Sequence, residues 1–232
     1  MRILAIQNDI TDPPHLVGKW LEEAGHEIVL LQAFAGESVP TTVPSDIHAL
    51  LPLGGSMGAL DDHVAPWLPN ERALLADAVS KDIPVFAICL GAQLLAEACG
   101  GKVTRAEIGE IGIYSVNPTD AASADPVFNI APSTPVAQWH EDQVTTLPQG
   151  AVTLAQSELC PNQVFRIGSK IYATQFHPEI DGDTIADWER DADNAFLTSG
   201  KSSVEAEVRA AESELARIWR PIIVRWSEIA SH

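Results

Sequence analysis

At 232 residues, 46% of them hydrophobic, the chain can bury a substantial core as one large α/β domain or two small ones. Its formal charge of −18 at pH 7 argues against nucleic-acid and anionic-membrane partners, both of which need basic faces. Cys89, Cys99 and Cys160 lack close pairing or CxxC spacing, so neither a disulfide framework nor a zinc site is suggested, and a reducing, cytoplasmic setting is expected.

In chain order, Ile3 to Gln7 reads as a first strand, too short an apolar run for a signal peptide. The segment from His15 to Ala24 reads as a helix stopped by Gly25, and His26 to Leu31 as a second strand. Residues 34 to 46, rich in Pro, Thr, Ser and Gly, form a loop before a buried strand over Ile47 to Leu53. Glu71 to Ser80 is a helix. This alternation predicts βαβ units and an open, mostly parallel, doubly wound sheet of flavodoxin-like type with helices on both faces.

The stretch from Pro84 to Ala96 begins as an apolar, β-branched and aromatic strand and ends as an Ala- and Leu-rich helix, with Cys89 at the junction. A thiol there sits at the carboxyl end of a strand and beside the N–H groups of a helix start, which lowers a thiol's pKa and can bind an oxyanion. Such a turn needs small residues two positions either side, and Ala87 and Gly91 supply them. A buried structural cysteine is the plainer reading for any cysteine considered alone.

Past Gly100-Gly101 the pattern becomes strand-rich, with short strands at Ile111 to Val116, Val136 to Trp139, Val152 to Gln156, Gln163 to Ile167 and Ile171 to Phe176, the last two joined as a hairpin, so that extra antiparallel strands are expected on the sheet. From Ile180 the chain is helical. A second helical stretch, Ser202 to Ile229, places Val204, Val208, Ala211, Leu215, Ile218, Ile222, Trp226 and Ile229 on one face, and Pro221 should kink or restart it. A single domain over 1–232 is expected, with a core to about residue 195 and a helical extension over 196–232. Its Trp219 and Trp226 either pack internally or form a partner surface.

Three features should meet beyond the carboxyl ends of strands in an open α/β sheet: Gly54-Gly55, Cys89 and His177. Paired glycines let backbone N–H groups face a ligand. Cys89 would be the nucleophile, His177 its base and later the acid for the leaving group, and Glu179 the carboxylate that orients the imidazole. Asp61-Asp62-His63 is not read as a metal site, because three neighbouring loop residues rarely converge on one ion.

Leu-Gly-Gly-Ser-Met-Gly-Ala-Leu-Asp-Asp at 53–62, Ala-Ile-Cys-Leu-Gly-Ala-Gln at 87–93 and Gln-Phe-His-Pro-Glu at 175–179 together resemble the class I glutamine amidotransferases. Within that family the chain is most similar to stand-alone members related to the glutaminase part of GMP synthase. Trp139 to Val144 and Cys160 to Gln163 occupy the places of that group's His-Gly-Asp and Cys-Pro segments. The resemblance implies hydrolysis of a γ-carboxamide through a γ-glutamyl thioester on Cys89, with the N–H groups of Gly55 and Leu90 as oxyanion hole. It also implies a substrate pocket including Gly54, Gln93, His140, Glu141 and Asp142, and no cofactor or metal. Ser56 stands where relatives often carry proline, and Glu141 where glycine is common.

No ATP-binding Gly-x-x-x-x-Gly-Lys-Ser/Thr loop is present, so ammonia would go to a separate acceptor or synthetase partner. Two other readings stay open: a hydrolase of γ-glutamyl amides or peptides using the same triad, and a non-catalytic binding or regulatory module.

Overall fold

The computed structural model describes residues 1–191 and 203–232; the expected boundary near residue 195, and the expected helix start at Ser202, lie outside the described residues. In chain order the elements are β1 (Arg2–Gln7), α1 (His15–Glu23), β2 (Glu27–Gln32), β3 (Ala49–Pro52), α2 (Leu68–Ser80), β4 (Val85–Ile88) and α3 (Leu90–Ala98). They are followed by β5 (Lys102–Pro118), β6 (Thr134–Thr146), β7 (Val152–Gln156), β8 (Val164–Ile167), β9 (Ile171–Thr174), α4 (Gly182–Asp191) and α5 (Val204–Ala230).

The strands form one mixed sheet in the order β2-β1-β3-β4-β9-β8-β7-β5-β6. From β2 to β9 the neighbours are parallel, a flavodoxin-like arrangement whose fifth strand arrives late in the chain; from β9 to β6 they are antiparallel. The side-chain period of two splits each central strand between two cores. Ile3, Ala5, Phe86 and Ile88 pack on the side covered by α1 and α5, whereas Leu4, Ile6, Val85 and Ala87 face α2 and α3.

Two expectations need correction. The strands read at Ile111 to Val116 and Val136 to Trp139 are the inner parts of a much longer hairpin, β5–β6. Residues 102–109 of β5 are largely exposed, so no buried apolar face marks them, although Lys102 to Arg105 pair with β6 before an irregularity that runs to Glu110. Of the kink or restart expected at Pro221, the restart does not occur, because α5 continues through it. Pro221 and Arg217 are both exposed, so the carbonyl that loses its intrahelical donor sits where water can satisfy it.

The α5 face differs slightly from the predicted one: Trp219 and Ile223 are buried, while Ala211, Ile218 and Ile229 are only partly covered. Both tryptophans pack internally. Trp226 meets Phe86 of β4 edge to face, with centroids 5.4 Å apart, and its Nε1 donates to the Lys170 carbonyl at 3.0 Å. Trp219 packs against Phe176 with the rings tilted and their centroids 4.7 Å apart. The helix therefore braces the strands that lead to Cys89 and His177. No helix among the described residues is long and apolar enough to cross a membrane.

Beneath the glycine loop lies a buried polar cluster. Asn8 donates to the Leu53 carbonyl and to Glu71 Oε1, both at 3.3 Å, and accepts from Trp67 Nε1 at 2.8 Å. Burial pushes the Glu71 carboxyl up to about 8, and its Oε2 has no partner.

Two outcomes are expected. Trp226→Ala should lower unfolding free energy by about 3–5 kcal/mol in urea titrations, through the cavity it leaves against Phe86. Because folding raises the Glu71 pKa, its contribution to stability is fully present below the unfolded value and is lost as pH rises through about 8. Glu71→Gln should therefore flatten the decline in stability between about pH 5 and 8, measured by urea unfolding at several pH values.

Candidate active site

Cys89 adopts φ +51° and ψ −108°, a conformation costly for a side-chain-bearing residue, between β4 and the first turn of α3. Its N–H donates to the Thr174 carbonyl at 2.8 Å, tying the turn to β9. Gly91 N–H donates to the Leu53 carbonyl at 3.1 Å, tying it to β3. A Cβ on Gly91 would lie 2.3 Å from the Pro52 carbonyl oxygen, so this close approach admits only glycine. Cys89 is 6% exposed and opens into a cavity of about 810 Å³, lined also by Gly55, Gln93, Asp142, His177 and Trp188. Burial pushes the Cys160 thiol up to about 12 and also raises Cys99.

His177 and Glu179 follow β9. The His177 N–H donates to the Ala137 carbonyl at 2.9 Å, and the Glu179 carbonyl accepts from Leu16 N–H at 3.0 Å, fixing both ends of the His-Pro-Glu turn. His177 Nδ1 lies 2.7 Å from Glu179 Oε1, with both side chains almost fully buried. Burial by itself would lower the His177 pKa, but the Glu179 carboxylate and the Cys89 sulfur outweigh it and hold the value well above the ordinary histidine range. Trp188 of α4 stands edge-on to the imidazole at a centroid distance of 4.8 Å.

The loop after β1 also reaches this centre. A point 2.7 Å from Asp12 Oδ2 and 3.2 Å from His177 Cε1 is where a Gly54 Cβ would lie, so glycine at 54 lets the carboxyl and the imidazole share that corner. Burial pushes the Asp12 carboxyl up to about 7, with His177 opposing and Glu179 and Asp9 reinforcing the shift. Ser56 donates to Asp9 Oδ2 at 2.6 Å, linking the β1 and β3 loops. Asp61 accepts the Gly58 N–H at 2.8 Å and Asp62 forms a bidentate pair with Arg72, so these acids shape the glycine loop. Among the described residues, neither the Gly55 nor the Leu90 N–H has an acceptor.

The residues expected to hold substrate converge from α3 and β6. Gln93 Nε2 donates to the Asp142 carbonyl at 3.2 Å and to Gln175 Oε1 at 3.4 Å. Asp142 and Glu141 line the cavity, with Glu141 Oε2 2.5 Å and Asp142 Oδ1 3.7 Å from the Arg105 guanidinium. His140 turns both ring nitrogens inward: Nδ1–H donates to the Asp142 carbonyl at 2.9 Å, and Nε2 lies 3.3 Å from Glu110 Oε2.

Asp12, Arg105, Glu110, Gln175 and Trp188 escaped the sequence reading. Gln175 was open to it, since it lies within the Gln-Phe-His-Pro-Glu stretch two residues before His177. Arg105 and Glu110 were not, because only the β5–β6 register sets them opposite Asp142 and His140.

The family model for class I glutamine amidotransferases matches residues 47–187. The glutamine amidotransferase-like protein YfeJ of Salmonella typhimurium is 32% identical over 166 residues, covering 70% of this chain and 69% of that protein. The glutamine-hydrolyzing GMP synthase subunit of Thermococcus kodakarensis is 35% identical over 145 residues, 61% of this chain and 74% of the relative. The crystal structure of a glutamine amidotransferase from Thermotoga maritima superposes with a TM-score of 0.85 at 28% identity, covering 99% of this chain and 97% of that one. The strained cysteine turn, the glycine loop and the His-Pro-Glu turn thus stand inside the matched region, and the chain belongs to the class I glutamine amidotransferase family.

Proposed function

We propose that this chain hydrolyses the γ-carboxamide of glutamine to glutamate and ammonia through a thioester on Cys89, and that the ammonia passes to a separate acceptor or synthetase. The observation that carries this reading is the His177–Glu179 contact of 2.7 Å, with His177 lining the cavity into which Cys89 opens. The raised His177 pKa favours an imidazolium beside a sulfur thiolate.

In this scheme the Cys89 sulfur adds to the amide carbon, and the resulting oxyanion takes hydrogen bonds from the free Gly55 and Leu90 N–H groups, a contribution of ~10²–10³ in rate per donor. His177 then gives its proton to the departing nitrogen, so ammonia leaves and a γ-glutamyl thioester remains. Water attacks the thioester, His177 takes its proton, and glutamate departs as the thiolate returns. Glu179 holds the imidazole in position throughout. Gln93 and the Asp142 segment hold the amino-acid end of the substrate. The relatives named as part of a GMP synthase support a partner synthetase for the ammonia.

A second reading rests on the size of the cavity. About 810 Å³ is within the range of pockets for drug-sized ligands and exceeds what free glutamine needs. Larger γ-glutamyl amides or peptides would fit, with the amine as leaving group and water as final acceptor.

Purified protein is expected to release glutamate from glutamine, and Cys89→Ala to reduce the rate at least ~10³-fold, in line with the loss of a nucleophile. Equal rates for the two proteins would sink the mechanism, and faster turnover of γ-glutamyl amides than of glutamine in a substrate panel would favour the second reading. Asp12 bears on pH. Below about 7 it is protonated and neutral, and above that its charge supports the His177 imidazolium. Asp12→Asn should therefore match the wild type near pH 6 and fall several-fold behind it near pH 8.5, read from kcat/KM across the range.

A further inference from the structure

A line of buried polar side chains runs from the β5–β6 hairpin to the nucleophile. Gln163 Nε2 donates to Glu110 Oε2 at 2.7 Å, and the same oxygen lies 3.3 Å from His140 Nε2. His140 Nδ1–H donates to the Asp142 carbonyl at 2.9 Å, and Gln93 Nε2 donates to that carbonyl at 3.2 Å. Gln93 Nε2 also donates to Gln175 Oε1 at 3.4 Å, and Gln175 Nε2 lies 3.7 Å from Cys89 Sγ. Glu110 is 1% exposed, His140 5%, Gln93 4% and Gln175 2%, so water does not compete along the line.

The polarity of this line is not free. An amide side chain can present either its oxygen or its NH₂ group to a neighbour, and the two choices differ in sign at the sulfur. The Asp142 carbonyl is acceptor-only, so Gln93 must turn its NH₂ group toward it. The same NH₂ group then meets Gln175, which must answer with its oxygen, leaving the Gln175 NH₂ group toward Cys89. At the far end, the Glu110 carboxylate faces one ring nitrogen of His140 while the other donates to Asp142. His140 Nε2 has no hydrogen-bond partner among the described residues, so Glu110 bears on the ring as a neighbour 3.3 Å away, while Nδ1–H meets the carbonyl from which the amide orientations follow.

Resting on the reading of Cys89 as nucleophile, we infer that Gln175 is a hydrogen-bond donor to the Cys89 thiolate. We also infer that Glu110, acting through His140 and the Asp142 carbonyl, is the positioning residue that sets the direction of this donor line. Gln175 touches the reacting atom. Glu110 does not, and works only through the intervening groups. The titratable groups around Cys89 are His177 with Glu179 and Asp12 behind it; around Glu110 they are His140 and Cys160.

The test is the rate of Cys89 alkylation by iodoacetamide across pH 5 to 9, followed by mass spectrometry on the full chain. This readout requires no turnover: should glutamine not be hydrolysed, the proposed function falls and the donor line is still decided. Gln175→Met keeps length and removes the donor, and is expected to slow alkylation about tenfold at pH 6.5 and to move the midpoint upward by about one pH unit. Glu110→Gln should move it in the same direction by a smaller amount, and adding Glu110→Gln to Gln175→Met should produce no further shift. A merely structural loss would reduce the reactive fraction without moving the midpoint. His140→Asn, which retains a donor near the Nδ1 position but cuts the link to Glu110, should reproduce the Glu110→Gln shift and serves where that variant fails to fold. Wild-type midpoints for Gln175→Met, or for both Glu110→Gln and His140→Asn, would overturn the inference, as would independent, additive shifts.

Discussion

Everything in this fold converges on one strained turn. Cys89 sits at φ +51°, a backbone conformation costing roughly 1–3 kcal/mol, and it persists because the surrounding strands over-determine it. The Cys89 N–H is held by β9 and the Gly91 N–H by the end of β3, so the turn is clamped between its two parallel neighbours. The clamp in turn requires that α3 start immediately after Cys89 and that position 91 lack a side chain. Helix start, glycine and strain are therefore one constraint seen from three sides.

The sheet order explains how distant residues share this turn. β9 adds next to β4 although the antiparallel strands β5 to β8 intervene in sequence, and it delivers His177 and Glu179 to the same edge as Cys89. Two aromatic braces keep it there. Trp226 presses on β4 through Phe86, and Trp188 stands against the imidazole itself. The C-terminal helix is thus part of the core on its side of the sheet, with Trp219, Ile222, Ile223 and Trp226 among its buried residues.

The electrostatics follow from the same burial. A histidine enclosed by protein would lose its charge, yet the carboxylate at its Nδ1 and the sulfur nearby reverse that tendency. Asp12 and Glu71, by contrast, are carboxyls enclosed with too few compensating partners, and both hold protons far above the usual range. A strongly acidic chain thus keeps selected carboxyls neutral near its site, and the charged form is favoured where a specific partner is supplied.

The sequence by itself determined the α/β class, the parallel half of the sheet and the junction at Cys89, because each rests on local periodicity and on small residues at fixed offsets. Cys89, His177, Glu179 and the glycine loop were legible for the same reason: each lies close behind the end of a strand. The tertiary structure alone decided the length of the β5–β6 hairpin, whose outer residues are largely exposed, and the continuity of α5 through the exposed Pro221. It also decided that Asp12 adjoins His177, that Arg105 pairs with Glu141, and that Glu110 faces His140. Those pairings depend on strand register and loop approach between segments far apart in the chain, and no local pattern encodes them.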